Sequence, residues 1–428
     1  MRSRILAAAA VVVSLVVASP VGQAQRATTE QWVGTWATAP VSSPAQPPAQ
    51  AAPNQPNPPA FNNQTLRQIV RVSIGGSRVR VIFTNAFGSK ALAIGGAQVA
   101  LRDKGAATAA GSERPLTFSG VKTVTIPPGA LIVSDPVDLR VARQADLAID
   151  VYLPGDTVAA GSPLTIHSAA RQTSYASSTG NHVGARDLPG AAPTTSWAFL
   201  SRVDVLAPAG TGAVAAFGDS ITDGFNSTVD TNNRWPDHLA ARLAAAGVTM
   251  GVLNLGIDGN RVLADGAGVS ALARFDRDVL AQAGVTHVFV LEGINDLGLP
   301  NLFKDGPRPT AAQLIAGHRQ LIARAHARGL KIFASTLLPY EGTTFPGYFT
   351  PEGEAIRQEF NTWMRTAREY DGVVDFDALM RDPAQPSRML PKFDSGDHLH
   401  PNDAGYKTMA DAVDLAFFGA RAAKAAAH

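Results

Sequence analysis

The sequence predicts an α/β fold. We expect a three-layer α/β/α domain with a mostly parallel sheet, preceded by a β-sandwich-like domain. At 428 residues the chain is longer than a single domain with one hydrophobic core usually is, so we expect two domains. Short strand patterns separated by turns fill the first half, and buried strands alternate with amphipathic helices in the second. The apolar fraction of 45% and the charged fraction of 17% are typical of a globular protein.

Residues 1–24 have the pattern of a signal peptide. Arg2 and Arg4 precede an apolar run over residues 5–18, and small residues follow at 22–24. The run is short for a bilayer span, so a membrane anchor is the weaker alternative. We therefore expect a secreted or periplasmic protein without stable membrane insertion.

Charge and cysteine content exclude several classes of function. Removing residues 1–24, which hold two arginines and no acid, reduces the 37 basic residues to 35, equal to the 35 acidic ones. The basic pI of the whole chain therefore gives no indication of nucleic-acid binding. The absence of cysteine excludes disulfides, thiolate nucleophiles and cysteine-bound metals.

The β-rich domain is predicted over residues 25–207. Prolines exclude regular helix and central strand from residues 40–62, which we expect to form a loop or strap. Between about 65 and 175, turn signals separate short strand patterns, and a period-2 alternation runs from Arg78 to Phe83.

The α/β domain is predicted over residues 208–428. Apolar runs and helical periodicity alternate there, as in a parallel sheet covered by helices. Strands are predicted at 213–217, 250–255, 287–291, 331–337 and 373–376, and helices at 235–246, 272–280, 311–328, 353–369 and 404–418.

Four short motifs occur in this domain. They are Gly218-Asp219-Ser220, residues 254–260, Gly293-Ile294-Asn295-Asp296 and Asp397-His398-Leu399-His400. The first three each follow a predicted strand, and the last precedes the closing helix. Because function collects at the carboxyl ends of the strands in an open parallel sheet, we expect one cleft to hold all four.

The motifs supply the groups that acyl transfer needs. Ser220 is the candidate nucleophile and His400 the candidate base, because a serine hydroxyl reacts poorly without one. Asp397 can hold the other ring nitrogen of His400. The Gly259 N–H and the Asn295 amide are candidate oxyanion donors. Taken singly, each of these residues also fits an ordinary turn or cap.

A metal site is the rival interpretation of the last motif. His398 and His400 share a face on an extended segment, with Asp397 and Asp403 nearby. That interpretation leaves Ser220 without a role, so we predict no metal and no cofactor.

The four motifs together resemble those of the SGNH, or GDSL-type, hydrolase family. The resemblance covers roughly residues 212–418, and the four namesake residues match Ser220, Gly259, Asn295 and His400. It implies that Asp397 completes the triad and that the oxyanion hole consists of the Ser220 N–H, the Gly259 N–H and the Asn295 side chain.

Residues 254–263 and 291–296 are also similar to the branch containing secreted aryl- and acetylesterases, whose β-rich N-terminal part begins near a stretch like residues 32–36. Asp258 departs from the small residue that many relatives have before the glycine.

The expected function is a secreted serine esterase acting on short-chain (acetyl) esters of carbohydrate or aryl alcohols. Its partner would be a small-molecule or glycan ester. Candidate substrate contacts are Asp219, Asn260, Glu292 and Asp296, each of which fits a structural role equally well.

Two alternatives remain open. One is a lipase- or lysophospholipase-type acylhydrolase, whose acyl groove would come from Leu297, Leu299, Phe303, Phe345, Tyr348 and Phe349. The other is a glycan-binding protein with a vestigial hydrolase.

Overall fold

The computed structural model describes residues 29–43 and 59–419. The predicted signal peptide and most of the predicted strap lie outside these residues, so both stay predictions. Within the described ranges, no helix has the length and apolar character needed to cross a bilayer.

The first part of the described chain is β-rich, as predicted, and contains one short helix. Its elements are β1 (Glu30–Ala37), β2 (Val41–Ser43), β3 (Asn62–Arg71), β4 (Gly76–Thr84), β5 (Leu92–Ile94), β6 (Gly96–Leu101), β7 (Arg114–Leu116), β8 (Val124–Ile126), β9 (Leu131–Val133), β10 (Val137–Val141), β11 (Asp146–Asp156), α1 (Thr157–Ala160), β12 (Leu164–His167), β13 (Ser174–Thr179), β14 (Ala192–Thr194), β15 (Trp197–Ala198) and β16 (Leu200–Pro208).

These strands form antiparallel sheets. One has the order β1-β16-β4-β10 with β9 beside β4, a second has the order β14-β13-β3-β11-β6-β7, and a small third one is β15-β12-β2. Val79, Val81 and Phe83 of β4 are fully buried, as their alternation predicts. Phe83 packs edge-on against Phe118, which follows β7, and so joins the first two sheets.

The second part alternates strands and helices. Its elements are β17 (Gly212–Gly218), α2 (Ser220–Asp223), α3 (Trp235–Ala245), β18 (Met250–Gly256), α4 (Ala271–Phe275), β19 (Val285–Leu291), α5 (Ile294–Phe303), α6 (Ala311–Ala327), β20 (Lys331–Ser335), α7 (Pro351–Thr366), β21 (Gly372–Val374), α8 (Phe376–Met380), β22 (Arg381–Asp382), β23 (Gln385–Met389) and α9 (Asp403–Ala412).

The central sheet of this domain is parallel and has the order β18-β17-β19-β20-β21. Helix α3 packs against α9, and α6 packs against α7, so helices form two layers around the sheet. The order in which strands are added to the sheet reverses at β17, since β18 lies on one side of it and β19 on the other. In a doubly wound fold this switch point opens a crevice at the carboxyl ends of the strands.

Two predicted helices differ from the structure, and one helix of the structure was not predicted. The helix predicted at 272–280 is α4 followed by a π-helical turn, and the closing helix ends at Ala412 before a separate 3₁₀ turn at Leu415–Phe418. Helix α5 was not predicted. Its sequence contains Gly298 and Pro300, which are unfavourable inside helices, yet all its residues from Ile294 to Pro300 are buried. Tertiary packing therefore outweighs local propensity there.

The two domains are packed against each other. In β1, Gly34 donates its N–H to Ala283 O at 2.9 Å, and Ser73 Oγ accepts from Val252 N at 2.9 Å. A Cβ at position 34 would lie 3.1 Å from the Leu253 side chain, so glycine allows this close approach. Buried apolar residues of both domains belong to one continuous core.

Candidate active site

Ser220 lies at the start of α2, immediately after the central strand β17. The preceding Asp219 caps the helix, since its Oδ1 accepts from Ile221 N at 2.9 Å. Gly256 at the end of β18 touches the same turn, where a Cβ would come within 2.2 Å of Asp223 N. The turn is thus fixed between two strand ends, with Ser220 at the crevice.

Ser220, His400 and Asp397 form one hydrogen-bonded chain. Ser220 Oγ is 2.8 Å from His400 Nε2, and His400 Nδ1 is 2.6 Å from Asp397 Oδ2. The structure therefore brings together the three residues predicted as nucleophile, base and orienting carboxylate. This geometry lets His400 take the serine proton while Asp397 holds the opposite ring nitrogen.

Asp397 is held as an ionised acceptor. Its Oδ1 accepts from the backbone N–H groups of Leu399 and His400 at 2.9 and 2.8 Å, and Asn226 Nδ2 donates to its Oδ2 at 2.9 Å. Burial raises the pKa of Asp397, but the hydrogen bond and charge of His400 and these amides outweigh burial and lower it to about 2. Asn226, six residues after Ser220, was not identified from the sequence.

Aromatic rings fix the position of the His400 imidazole. The Phe225 ring lies 4.5 Å from it, and the Phe345 ring lies 6.4 Å away, nearly perpendicular. Both phenylalanines also border the cleft, so they shield the base from part of the solvent.

Three N–H donors surround the same cleft. Tyr348 donates its hydroxyl proton to Asn295 Oδ1 at 2.8 Å, while Asn295 Nδ2 is buried and has no partner among the described residues. The N–H groups of Ser220 and Gly259 likewise donate to no acceptor within residues 29–43 and 59–419. Gly259 has φ +70°, which favours glycine. Unpaired donors at this place can hold an oxyanion.

The cleft has a volume of about 340 Å³ and one apolar end. Of the predicted groove residues, Leu299, Phe303, Phe345 and Tyr348 line it, whereas Leu297 and Phe349 do not. The full lining is Ser220, Phe225, Asp258, Gly259, Asn295, Leu299, Leu302, Phe303, Phe345, Tyr348, Leu399 and His400.

The four residues predicted as substrate contacts bond to backbone N–H groups and to Arg274, so their contact with substrate stays a prediction. Asp219 caps α2, and Asp296 accepts from two backbone N–H groups of the loop after β18 at 2.7 and 3.0 Å. Asn260 and Glu292 both contact Arg274, at 2.8 and 3.1 Å. All four are at most 2% exposed and none lines the cleft. Asp219 and Asp296, which follow strands, thus accept hydrogen bonds from backbone N–H groups.

Arg274 connects the ends of the strands and was missed from the sequence. Its guanidinium donates to Gly218 O at 2.9 Å and to Leu255 O at 2.8 Å, as well as to Asn260 and Glu292. It is fully buried and lies over the Phe217 ring at 4.0 Å. Nothing in the local sequence distinguishes it from a surface arginine on a helix.

The two histidines of the last motif face different partners. His398 Nδ1 contacts Asp394, whereas His400 lies between Asp397 and Ser220. Across the described chain, no group of three or more His, Cys, Asp or Glu side chains is arranged to hold a metal ion.

Residues 216–408 match the model of the GDSL-like lipase/acylhydrolase family. The C-terminal domain belongs to this family. The resemblance inferred from the motifs is therefore confirmed for this domain, which is a carboxylic ester hydrolase of the GDSL type. A search of the curated proteins finds no match.

Several solved structures are each similar to about half of the chain. A carbohydrate acetylesterase family member from Sinorhizobium meliloti is 19% identical and covers 49% of this chain and 100% of its own, with a TM-score of 0.39. An aryl esterase from M. smegmatis is 15% identical over 49% and 100%, with a TM-score of 0.40. A lipase/acylhydrolase from Enterococcus faecalis is 18% identical over 50% and 100%, with a TM-score of 0.39.

Proposed function

We propose that this protein is a secreted serine esterase in which Ser220 is the nucleophile and His400, oriented by Asp397, is the general base. The observation that carries the proposal is the hydrogen-bonded chain from Ser220 Oγ through His400 to Asp397, at 2.8 and 2.6 Å. Beside it lies Asn295 Nδ2, which has no partner in the described part of the chain. A nucleophile, a base and an orienting group within hydrogen-bond reach are what covalent acyl transfer needs.

The reaction has two steps. Ser220 Oγ attacks the acyl carbon while His400 Nε2 accepts its proton and Asp397 stabilises the imidazolium. The oxyanion accepts hydrogen bonds from Ser220 N, Gly259 N and Asn295 Nδ2. The alcohol leaves with the proton from His400. Water, deprotonated by His400, then attacks the acyl-enzyme, and the carboxylic acid and free Ser220 are released.

We infer short-chain acyl esters of carbohydrate or aryl alcohols as the substrates. The cleft is open at its mouth, and Asp258 and Asn295 contribute polar groups to its largely apolar lining. A longer acyl ester is the second candidate. It is favoured by the apolar end of the cleft, where Leu299, Leu302 and Phe303 offer surface to an alkyl chain.

Ser220→Ala tests the reaction, with p-nitrophenyl acetate as substrate. We expect turnover to fall by at least about 10³-fold with an unchanged melting temperature. Ser335→Ala is the matched control, because Ser335 is a buried serine at the end of β20 that does not border the cleft. A serine-directed fluorophosphonate should add mass to the peptide containing Ser220. Retained turnover or labelling elsewhere would show that the assignment is wrong.

An ester panel separates the two substrate classes. It pairs acetylated xylan fragments with p-nitrophenyl esters of increasing chain length and a lysophospholipid. A maximum of kcat/KM at acetyl supports the first class, and a maximum at eight carbons or more supports the second.

Secretion rests on residues 1–24 alone. Expression of the full chain in a host with an export machinery, followed by N-terminal sequencing, should give a mature protein that begins near Gln25. An exported protein that keeps Met1 contradicts cleavage at this place.

A further inference from the structure

A buried cluster of three titratable residues crosses the boundary between the two domains. His167, at the end of β12, contacts Asp223 of α2 with Nε2 3.0 Å from Asp223 Oδ1. Asp223 in turn faces Asp258, which borders the cleft next to Gly259. The proposed reaction uses none of the three.

His167 has acceptors at both ring nitrogens. Its Nδ1 is 2.9 Å from the backbone oxygen of Ala39, and its Nε2 faces the Asp223 carboxylate. An imidazole donates from both nitrogens only when it is protonated. Burial lowers the pKa of His167, but Asp223 and Ala39 more than compensate, so that the net direction is upward. An imidazolium at this place can pair with the Asp223 carboxylate across 3.0 Å.

Asp223 and Asp258 are arranged to share one proton. Asp223 lies within hydrogen-bond reach of Asp258. Asp223 Oδ2 and Asp258 Oδ1 are both buried and have no donor among the described residues. Two adjacent buried carboxyls do not readily ionise together, and a proton between these two oxygens would satisfy both. Burial, and then Asp223, raise the pKa of Asp258 well above its usual range.

We propose that His167 of the N-terminal domain is a positioning residue of the hydrolase site, which keeps the shared proton on Asp258 by pairing with Asp223. The carboxyl beside Gly259 is then neutral where the oxyanion forms. A negative charge there would oppose the developing oxyanion in a poorly solvated site. The inference rests on the proposed function. It means that the β-rich domain completes the active site electrostatically.

Other charged and titratable groups face the cluster and do not replace His167. Arg171, from the loop after β12, lowers the pKa of Asp258 and so opposes its protonation, whereas the Asp219 carboxylate supports it. On the other side, Arg234 opposes the protonation of His167. The Tyr406 hydroxyl also faces Asp258.

A double-mutant cycle tests the proposal. Without the imidazolium in His167→Asn, we expect Asp258 to carry more negative charge. We expect kcat/KM for p-nitrophenyl acetate to fall about tenfold or more at pH 8. The loss should shrink as the pH falls, since protonation of Asp258 is then favoured in the variant as well. Asp258→Asn mimics the protonated side chain, since its amide can donate to Asp223. The H167N/D258N variant should therefore lie within about threefold of D258N between pH 5 and 8.

His326→Asn is the matched control, because it breaks another His–Asp pair of 3.0 Å, at the opposite end of the sheet. It should keep the wild-type profile. An H167N/D258N variant as impaired as H167N overturns the proposal, since His167 then acts through domain packing alone. A pH-independent loss in H167N overturns it as well. If wild type hydrolyses no ester and Ser220→Ala changes nothing, the proposed function fails first and this inference with it.

Discussion

The Tyr348 hydroxyl donates a hydrogen bond of 2.8 Å to Asn295 Oδ1, and both side chains are buried at the wall of the cleft. Burial raises the pKa of Tyr348 well above its usual range, so the phenol stays a neutral donor. Because Tyr348 occupies the amide oxygen, Asn295 can offer only Nδ2 to a substrate. The tyrosine therefore sets the orientation of the proposed oxyanion donor Asn295.

Removing this orientation should lower kcat rather than raise KM. We expect Asn295→Ala to reduce kcat by 10²–10³-fold, or about 3 kcal/mol in the barrier. Tyr348→Phe should reduce it by about tenfold, and should add nothing when combined with Asn295→Ala. Tyr370→Phe is the control, since Tyr370 is a buried tyrosine that bonds His318 at 2.6 Å. Equal effects of Tyr348→Phe and Tyr370→Phe would contradict the role of Tyr348.

Asp397→Asn should reduce kcat by about 10³–10⁴-fold. The amide would favour the wrong tautomer of His400 and would not stabilise the imidazolium. Asp394→Asn, on the same loop, alters the partner of His398 instead and should change kcat by less than about threefold. Steady-state kinetics at pH 8, with circular dichroism to verify folding, distinguish the two. Similar losses in both variants would mean that only the loop conformation matters.

The buried carboxyls around Arg274 make folding stability depend on pH. Burial raises the pKa of Asp219 to about 7 and that of Asp296 to about 6. The folded protein then holds protons that the unfolded chain has released, so these groups make stability fall between about pH 4 and 7. The free energy of unfolding, measured by urea denaturation, should fall between pH 4.5 and 8. This decrease should be about 1–3 kcal/mol smaller in Asp219→Asn than in wild type.

The exposed Asp138→Asn is the control for this titration, because its carboxyl is 88% exposed. Its stability should run parallel to that of wild type over the same range. Asp219→Asn curves parallel to wild type would mean that Asp219 is ionised throughout.

Phe303 should affect long acyl chains more than short ones. It is 64% exposed at the apolar end of the cleft, where a chain of about eight carbons can cover it. Phe303→Ala should lower the octanoate-to-acetate ratio of kcat/KM by about three- to tenfold, since less apolar area is then removed from water. Val121→Ala, an exposed apolar residue of the β-rich domain, should leave the ratio unchanged. An unaltered ratio in Phe303→Ala would argue against the longer acyl ester.

Much of the fold could be read from local patterns. The capping box at Thr310 and Gln313 starts α6 at Ala311, where periodicity predicted it, because the cap is formed by neighbours in sequence. Helix α5 could not be predicted in this way, since Gly298 packs against Tyr348 from a distant loop. The structural roles of Asp219, Asn260, Glu292 and Asp296 were also undecided, because their partners lie on other strands.

The motif order alone indicates the reaction type, because three motifs after predicted strands and a fourth before the closing helix predict that Ser220, Asn295 and His400 meet at one edge of a parallel sheet. What orients and surrounds these residues is visible only in the folded protein. Tyr348, Arg274 and His167 act through hydrogen bonds that join distant parts of the chain. Such contacts depend on packing in three dimensions, and spacing along one chain does not encode them.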